Sequence, residues 1–146
     1  MNNEEIEKRL RTMEDQEAIR QLHYTYISCL DNLEFARALD CFVDDAEVEV
    51  RKSGVLKGKE NFSKIYLVTL AVRKERHDAH LAIEPVIRVN GDTATGDWII
   101  YLLFSVPKID WVQGRNECEY RRVNGEWKIS KLKFTRTLAS SPELFP

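Results

Sequence analysis

Two Asn-Gly dipeptides, Asn90-Gly91 and Asn124-Gly125, cut the C-terminal half of the chain into paired strand segments and constrain its fold more than any other feature. Both dipeptides accept the positive φ angles that tight hairpin turns require. The segments they join, 79–89 with 93–106 and 112–123 with 127–138, are rich in β-branched and aromatic residues. Pro107 and Asp110 mark the turn between the two hairpins, so the segments form one long antiparallel meander.

The N-terminal half has a different period. Ile6, Leu10 and Met13, then Ile19, Leu22, Tyr26 and Leu30, recur at steps of three and four and predict a helix from about Glu4 to Leu30. Asp31-Asn32 interrupts it, and Glu34 follows Asp31 at capping-box spacing, which makes Asp31 the expected cap of a second helix running to about Phe42. A strand over 43–50, a turn at Ser53-Gly54 and a short return at Val55-Leu56 come next. Gly58 opens a third helix, whose buried face carries Phe62, Ile65, Tyr66, Thr69 and Leu70. Helices followed by a long antiparallel sheet describe an α+β domain with the helices on one sheet face. At 146 residues without a linker or repeat, residues 1–146 are expected to form one domain.

The formal net charge of −2, with both signs interspersed, offers neither a basic stripe for nucleic acid nor a polybasic face for a membrane. Cys29, Cys41 and Cys118 are odd in number and widely spaced, so a reducing, cytoplasmic setting without disulfides or a zinc knuckle is expected. The opening residues lack the pattern of a signal peptide. One strand is apolar on both faces: Trp98, Ile100, Leu102 and Phe104 point one way, and Ile99, Tyr101 and Leu103 the other. Helices cover one side, which leaves the other as an expected homodimer interface.

Chemistry concentrates in three residues. Tyr26 and Asp31 close the first helix, and His80 stands in the apolar strand segment Ala79-His-Leu-Ala-Ile83. A carboxylate that orients an imidazole, beside a phenol that donates a hydrogen bond, suffices to remove a proton next to a carbonyl. Each residue also has a structural role open to it: Asp31 as a cap, Tyr26 as a core aromatic, and His80 as a buried histidine satisfied by one hydrogen bond. His77 faces away from His80 on a regular strand, which argues against a two-histidine metal site. Gly54-Val-Leu-Lys-Gly58-Lys59-Glu60 is one residue short of a phosphate loop, and Asp44-Asp45 has no third ligand at a fitting spacing. No metal and no cofactor are expected.

The order of elements, Tyr26-x-x-x-x-Asp31 at the end of the first helix, Phe42-x-Asp-Asp-Ala46 leading into a strand, Gly54-x-x-x-Gly58 before a helix and the strand histidine together resemble the SnoaL-like branch of the nuclear transport factor 2-like superfamily. That superfamily includes scytalone dehydratase and bile acid 7α-dehydratase. The resemblance implies a cone-shaped α+β barrel, a strongly curved, mostly antiparallel sheet wrapped around helices, with a pocket at its wide end. It also implies that His80 is a proton-abstracting base, that Asp31 holds it and that Tyr26 assists. A further acidic residue carried by the bile acid enzyme falls at about Leu102 here, so this chain lacks a second acid at that position. Arg136 falls where that enzyme has an arginine in or beside its pocket.

The expected activity is therefore a cofactor-independent lyase (a dehydratase) or an isomerase acting on a hydrophobic, carbonyl-containing small molecule. Tyr24, Tyr66, Trp98, Ile100, Leu102, Phe104, Cys118, Phe134 and Arg136 are the expected substrate-binding residues. Two alternatives stay open: a non-catalytic small-molecule-binding or interaction domain of the same fold, and a polyketide cyclase-like or monooxygenase-like enzyme using another pocket acid.

Overall fold

In the computed structural model, which describes residues 1–144, helix α1 spans Asn3–Asp31 and the short α2 spans Phe35–Leu39. Strands β1 (Phe42–Val50) and β2 (Val55–Lys57) form a hairpin, and α3 (Lys59–Lys64) runs into a π-helical stretch over Ile65–Leu70. Four long strands follow: β3 (Asp78–Asn90), β4 (Thr93–Phe104), β5 (Asp110–Val123) and β6 (Glu126–Ala139). The six strands form one sheet in the order β2-β1-β6-β5-β4-β3, antiparallel except where β1 lies parallel to β6. Among the described residues, no helix is long and apolar enough to cross a membrane.

The hairpin turns differ in chemistry. Val123 pairs with Glu126, so Asn124 and Gly125 are the central residues, both with positive φ (52° and 80°), as a type I′ turn requires. In the β3–β4 hairpin Asn90 pairs with Thr93, so the turn residues are Gly91-Asp92 rather than the expected Asn90-Gly91. Only Gly91 has a positive φ there, 62°, and it occupies the first central position, where a type II′ turn favours glycine.

Helix α1 starts with a capping box: the Asn2 side chain accepts from Glu5 N–H, and the Glu5 carboxylate accepts from Asn2 N–H. The helix is 29 residues long, about 43 Å at 1.5 Å per residue, and it outruns the sheet that covers it. Its burial therefore begins near Ile19, while Ile6, Leu10 and Met13, expected to continue the buried stripe, remain exposed. Below that point Ile19, Tyr26 and Ile27 pack with Phe42, Val48, Phe62 and Tyr66 and with the inner faces of the long strands, including Ile100, Tyr120, Ile129 and Leu132.

The end of α1 departs from the capping expectation. Asp31 does not cap the second helix, which is shorter than expected and preceded by Glu34. Instead the chain leaves α1 through a Schellman motif. Glu34 N–H donates to Cys29 C=O at 2.8 Å, Leu33 N–H donates to Leu30 C=O at 3.2 Å, and Leu33 takes the left-handed conformation at φ 61°. Glycine is the usual residue there. Leu33 packs on the core instead, which offsets its conformational cost. Asp31 is thereby the last helical residue, and its carboxylate is free to reach the sheet.

Candidate active site

The Asp31 carboxylate reaches across to β3 and holds His80 at two places. Oδ1 accepts the His80 backbone N–H at 3.0 Å and lies 2.7 Å from the ring Nδ1. Arg76, from the charged segment before β3, donates to Oδ2 at 3.1 Å. A carboxylate at a helix C-terminus faces the negative end of the dipole, and the Arg76 guanidinium offsets that repulsion. The His80 and Asp31 side chains are 13% and 14% exposed, so the contact is shielded from bulk water without being sealed. With Nδ1–H donating to Asp31, the neutral ring carries its lone pair on Nε2. Among the described residues nothing hydrogen-bonds Nε2, and the ring lines a cavity.

The cavity measures about 680 Å³, within the range of small-molecule sites. Ile100, Leu102 and Phe104 from β4, Phe134 and Arg136 from β6, and Tyr66 from the π-helical stretch line it, together with Tyr26. The π-helical turn adds one residue to the helix and brings Ile65, Tyr66, Thr69 and Leu70 to the cavity wall. Tyr26 and Tyr66 face each other with their hydroxyls 2.9 Å apart. Burial holds both phenols protonated, well above the ordinary phenol range. One hydroxyl donates to the other, which leaves one O–H to donate elsewhere. Tyr26 makes no hydrogen bond to Asp31 or His80, so the set splits into a His80–Asp31 pair and a separate Tyr26–Tyr66 pair.

Three expected lining residues lie elsewhere. Tyr24 is 72% exposed, because it sits on the face of α1 turned away from the sheet. Trp98 points inward as expected but is covered by His23, whose ring stacks on it at 4.2 Å with an 8° interplanar angle. Cys118 is buried beside Tyr120 and does not reach the cavity. Desolvation raises its thiol to about 12, so it stays protonated.

The structure adds residues that the sequence reading passed over. Asp78 precedes His80 by two on β3, lines the cavity, is 6% exposed and is ion-paired with Arg73. Strand alternation with His80 was the signal for it. Asp31, Asp78 and His80 each place a potential ligand atom within 4.8 Å of the others, a spacing that could hold a cation. Both carboxylates already face guanidinium groups, Arg76 and Arg73, and a cation would compete with these.

His23 and Asn116 were the other omissions. His23 follows Ile19 by four residues on the buried face of α1 and is fully enclosed. Tyr120 Oη lies 3.0 Å from Nδ1, Asn116 Nδ2 lies 3.3 Å from Nε2, and Trp98 Nε1–H donates to Tyr120 Oη at 2.8 Å. Asn116 alternates with Cys118 on β5 and reaches the cavity wall. Burial pushes His23 down to about 3, so the folded protein keeps it neutral while the unfolded chain protonates it near 6.5. Its contribution to stability is therefore complete above pH 6.5 and is lost as the pH falls from there toward 3. At pH 4.5 this one group is expected to cost about 2–3 kcal/mol. Thermal melts between pH 7 and 4.5, compared with a folded His23→Gln variant, should show a shallower acid loss in the variant. Equal slopes would contradict this assignment.

The family model for the SnoaL-like domain matches residues 11–133. No protein of curated function matches the sequence. Among solved structures, a nuclear transport factor 2-like protein with a cystatin-like fold from Novosphingobium aromaticivorans is similar with a TM-score of 0.82 at 22% identity, over 97% of this chain and 94% of that one. The hexachlorocyclohexane dehydrochlorinase LinA-type3 from Novosphingobium barchaimii LL02 is similar with a TM-score of 0.78 at 21% identity, over 94% and 97%. A candidate scytalone dehydratase from Novosphingobium aromaticivorans has a TM-score of 0.78 at 16% identity, over 88% of each chain. At these identities the likeness is one of fold. The curled sheet of six strands closing over N-terminal helices and the span of the family match agree, and this chain belongs to the SnoaL-like family of the nuclear transport factor 2-like, cystatin-like fold.

Proposed function

We propose that the protein is a cofactor-independent lyase, with dehydration the favoured reaction and isomerisation the variant, acting on a hydrophobic cyclic molecule that carries a carbonyl group. The observation that carries this reading is the His80 imidazole, held at Nδ1 by Asp31, without a hydrogen-bond partner on Nε2 among the described residues, and lining a largely apolar cavity. Nε2 removes a proton from the carbon next to the carbonyl. Asp31 fixes the ring's tautomer and stabilises the imidazolium that forms. The spare hydroxyl proton of the Tyr26–Tyr66 pair hydrogen-bonds the developing enolate oxygen. In dehydration the C–O bond to the β-hydroxyl then breaks, and the proton on Nε2 leaves with the hydroxyl as water. Leu102 falls at about the position where the bile acid enzyme carries its further acid, and Asp78 is engaged by Arg73, so in this proposal His80 serves as base and then as acid. In isomerisation the same proton returns to a different carbon.

The names of structural neighbours, a dehydrochlorinase and a candidate dehydratase, are compatible with elimination chemistry. Incubation with a panel of cyclic β-hydroxy ketones, followed by enone absorbance, tests the reading. Enone formation that depends on His80 is expected. Ligand binding without turnover or proton exchange across the panel would favour a binding module. Asp78 is the acid that a cyclase-like or monooxygenase-like alternative would use, since it also lines the cavity.

We further propose that the protein is a homodimer through the outer sheet face. Leu81, Ile83, Leu103 and Leu138 stand 37–52% exposed there, around Ile99 and Tyr101. In the strand registers Leu81 pairs with Tyr101, Ile83 with Ile99, and Tyr101 with Gln113, so these side chains form one continuous patch. Sedimentation at micromolar concentration should give twice the monomer mass of 17.1 kDa, and Leu103→Glu should return it to monomer. A wild type that sediments only as monomer would contradict the proposal.

A further inference from the structure

Arg136 is the cavity residue whose polar atoms are least well accounted for. One terminal nitrogen donates to the Leu144 carbonyl, and Nε is buried without a hydrogen-bond partner among the described residues. No carboxylate among the described residues forms an ion pair with it. The charged group that acts on it most is another cation, Arg51, and burial together with Arg51 depresses its pKa. A guanidinium in this position is held at an energetic disadvantage, which an anion would remove.

The charges around it have the same sign. Arg51 and Lys52, from the turn after β1, line the same cavity. Of the carboxylates that line it, Asp78 is engaged by Arg73 and Glu143 by Lys108. Arg51, Lys52 and Arg136 are thus three cations without an ion-pair partner among the described residues, and no lining carboxylate is left to balance them. The wall also carries the apolar side chains of Phe134, Leu132, Ile100 and Leu144.

We infer that the cavity takes a hydrophobic molecule bearing a carboxylate, which the cavity-lining guanidinium of Arg136 engages, with Arg51 adding charge at the mouth. This rests on the cavity being the ligand site described above, and it narrows the substrate to a cyclic keto acid. The strand registers set a scale. Arg136 pairs with Gly114, Gly114 with Ile100, and Ile100 with Ala82, two residues from His80 on β3. Three strand spacings and a two-residue step along β3 separate the two side chains, about 16 Å along the curved sheet and less across the cavity. A ligand that touches both holds its carboxylate on the order of 10 Å from its reacting carbon.

Calorimetric titration of the wild type with 2-naphthylacetate and with its primary amide, in low-salt buffer, tests the inference without reading turnover. The carboxylate should bind at least about tenfold more tightly than the amide, as charge-assisted hydrogen bonds imply. Added salt should shrink the difference. Arg136→Gln should remove the preference by weakening carboxylate binding far more than amide binding, and Arg136→Lys should keep part of it. His80→Ala should keep it whole, so the lyase reading can fail while this result stands, and the reverse. Equal affinity for acid and amide, absence of carboxylate binding, or an undiminished preference in folded Arg136→Gln would overturn the inference. If that variant does not fold, the wild-type comparison and Arg136→Lys decide.

Discussion

Replacing His80 by alanine is expected to lower turnover at least about 100-fold while the fold is retained, because the proposed mechanism takes its general base from this residue, which stands at the cavity wall outside the apolar core. Its side chain lies at the cavity wall, and its one side-chain hydrogen bond among the described residues is to Asp31. That carboxylate keeps Arg76 and the His80 backbone N–H as partners after the substitution, so no buried charge is left alone. Circular dichroism and a melting curve establish folding, and initial rates of enone formation read the chemistry. His80→Gln, which retains a polar side chain of similar reach, should be as inactive as the alanine variant.

Asp31→Asn is the second large effect, expected at about 100-fold or more on kcat, and for a different reason. An asparagine amide can donate to Nδ1, which would move the ring proton to Nε2 and occupy the lone pair that the reaction needs. Asp31→Ala adds a structural penalty. It leaves the His80 backbone N–H without its acceptor, a loss of about 1–3 kcal/mol, and releases Arg76. The two variants therefore separate the roles: the asparagine form should be folded and inactive, the alanine form inactive and less stable. Asp78→Asn is the control. It lines the same cavity but faces Arg73, so it should affect rate far less than Asp31→Asn. A reversed order, with Asp78 more important than Asp31 and His80, would favour the cyclase-like or monooxygenase-like alternative.

The fold was legible in the sequence because its elements have clean periods and punctuation. Strand alternation, Asn124-Gly125 and the helical stripe from Ile19 to Leu30 each point to one local structure, and the observed elements follow them. The errors arose where two local explanations competed. Asp31 has the sequence signature of a helix cap, yet Leu33 accepts a left-handed conformation and the chain leaves α1 by a Schellman turn. Nothing local in the sequence shows that a leucine will do what glycine usually does. Asn90-Gly91 has the form of a hairpin dipeptide, but the pairing of Asn90 with Thr93 moves the turn on by one residue.

At the site, His80 and Asp31 were readable as a pair only through their resemblance to a family pattern, since 49 positions separate them in the chain. Their separation in space depends on where β3 lies beside the end of α1, a property of the whole sheet. Residues such as Asn116 and Asp78 could have been assigned to the inner face by counting alternate positions from Cys118 and His80. Arg73 and Arg76 could not. They belong to a charged run that reads as solvent-facing, and only the fold turns them onto two shielded carboxylates. Trp98 shows the limit of alternation: it points inward, but a stacked histidine from α1 stands between it and the cavity.

In the proposed reaction Nε2 of His80 removes a proton next to a carbonyl. The most direct test of this step is deuterium incorporation from heavy water into the α-carbon of cyclic ketones and keto acids, followed by NMR, with wild type and folded His80→Ala side by side. The reading requires no leaving group, so it covers dehydration and isomerisation alike. Exchange faster than the buffer background in the wild type, and slower by at least about 100-fold in the variant, is the expected result. Exchange at the same rate in both proteins would contradict it.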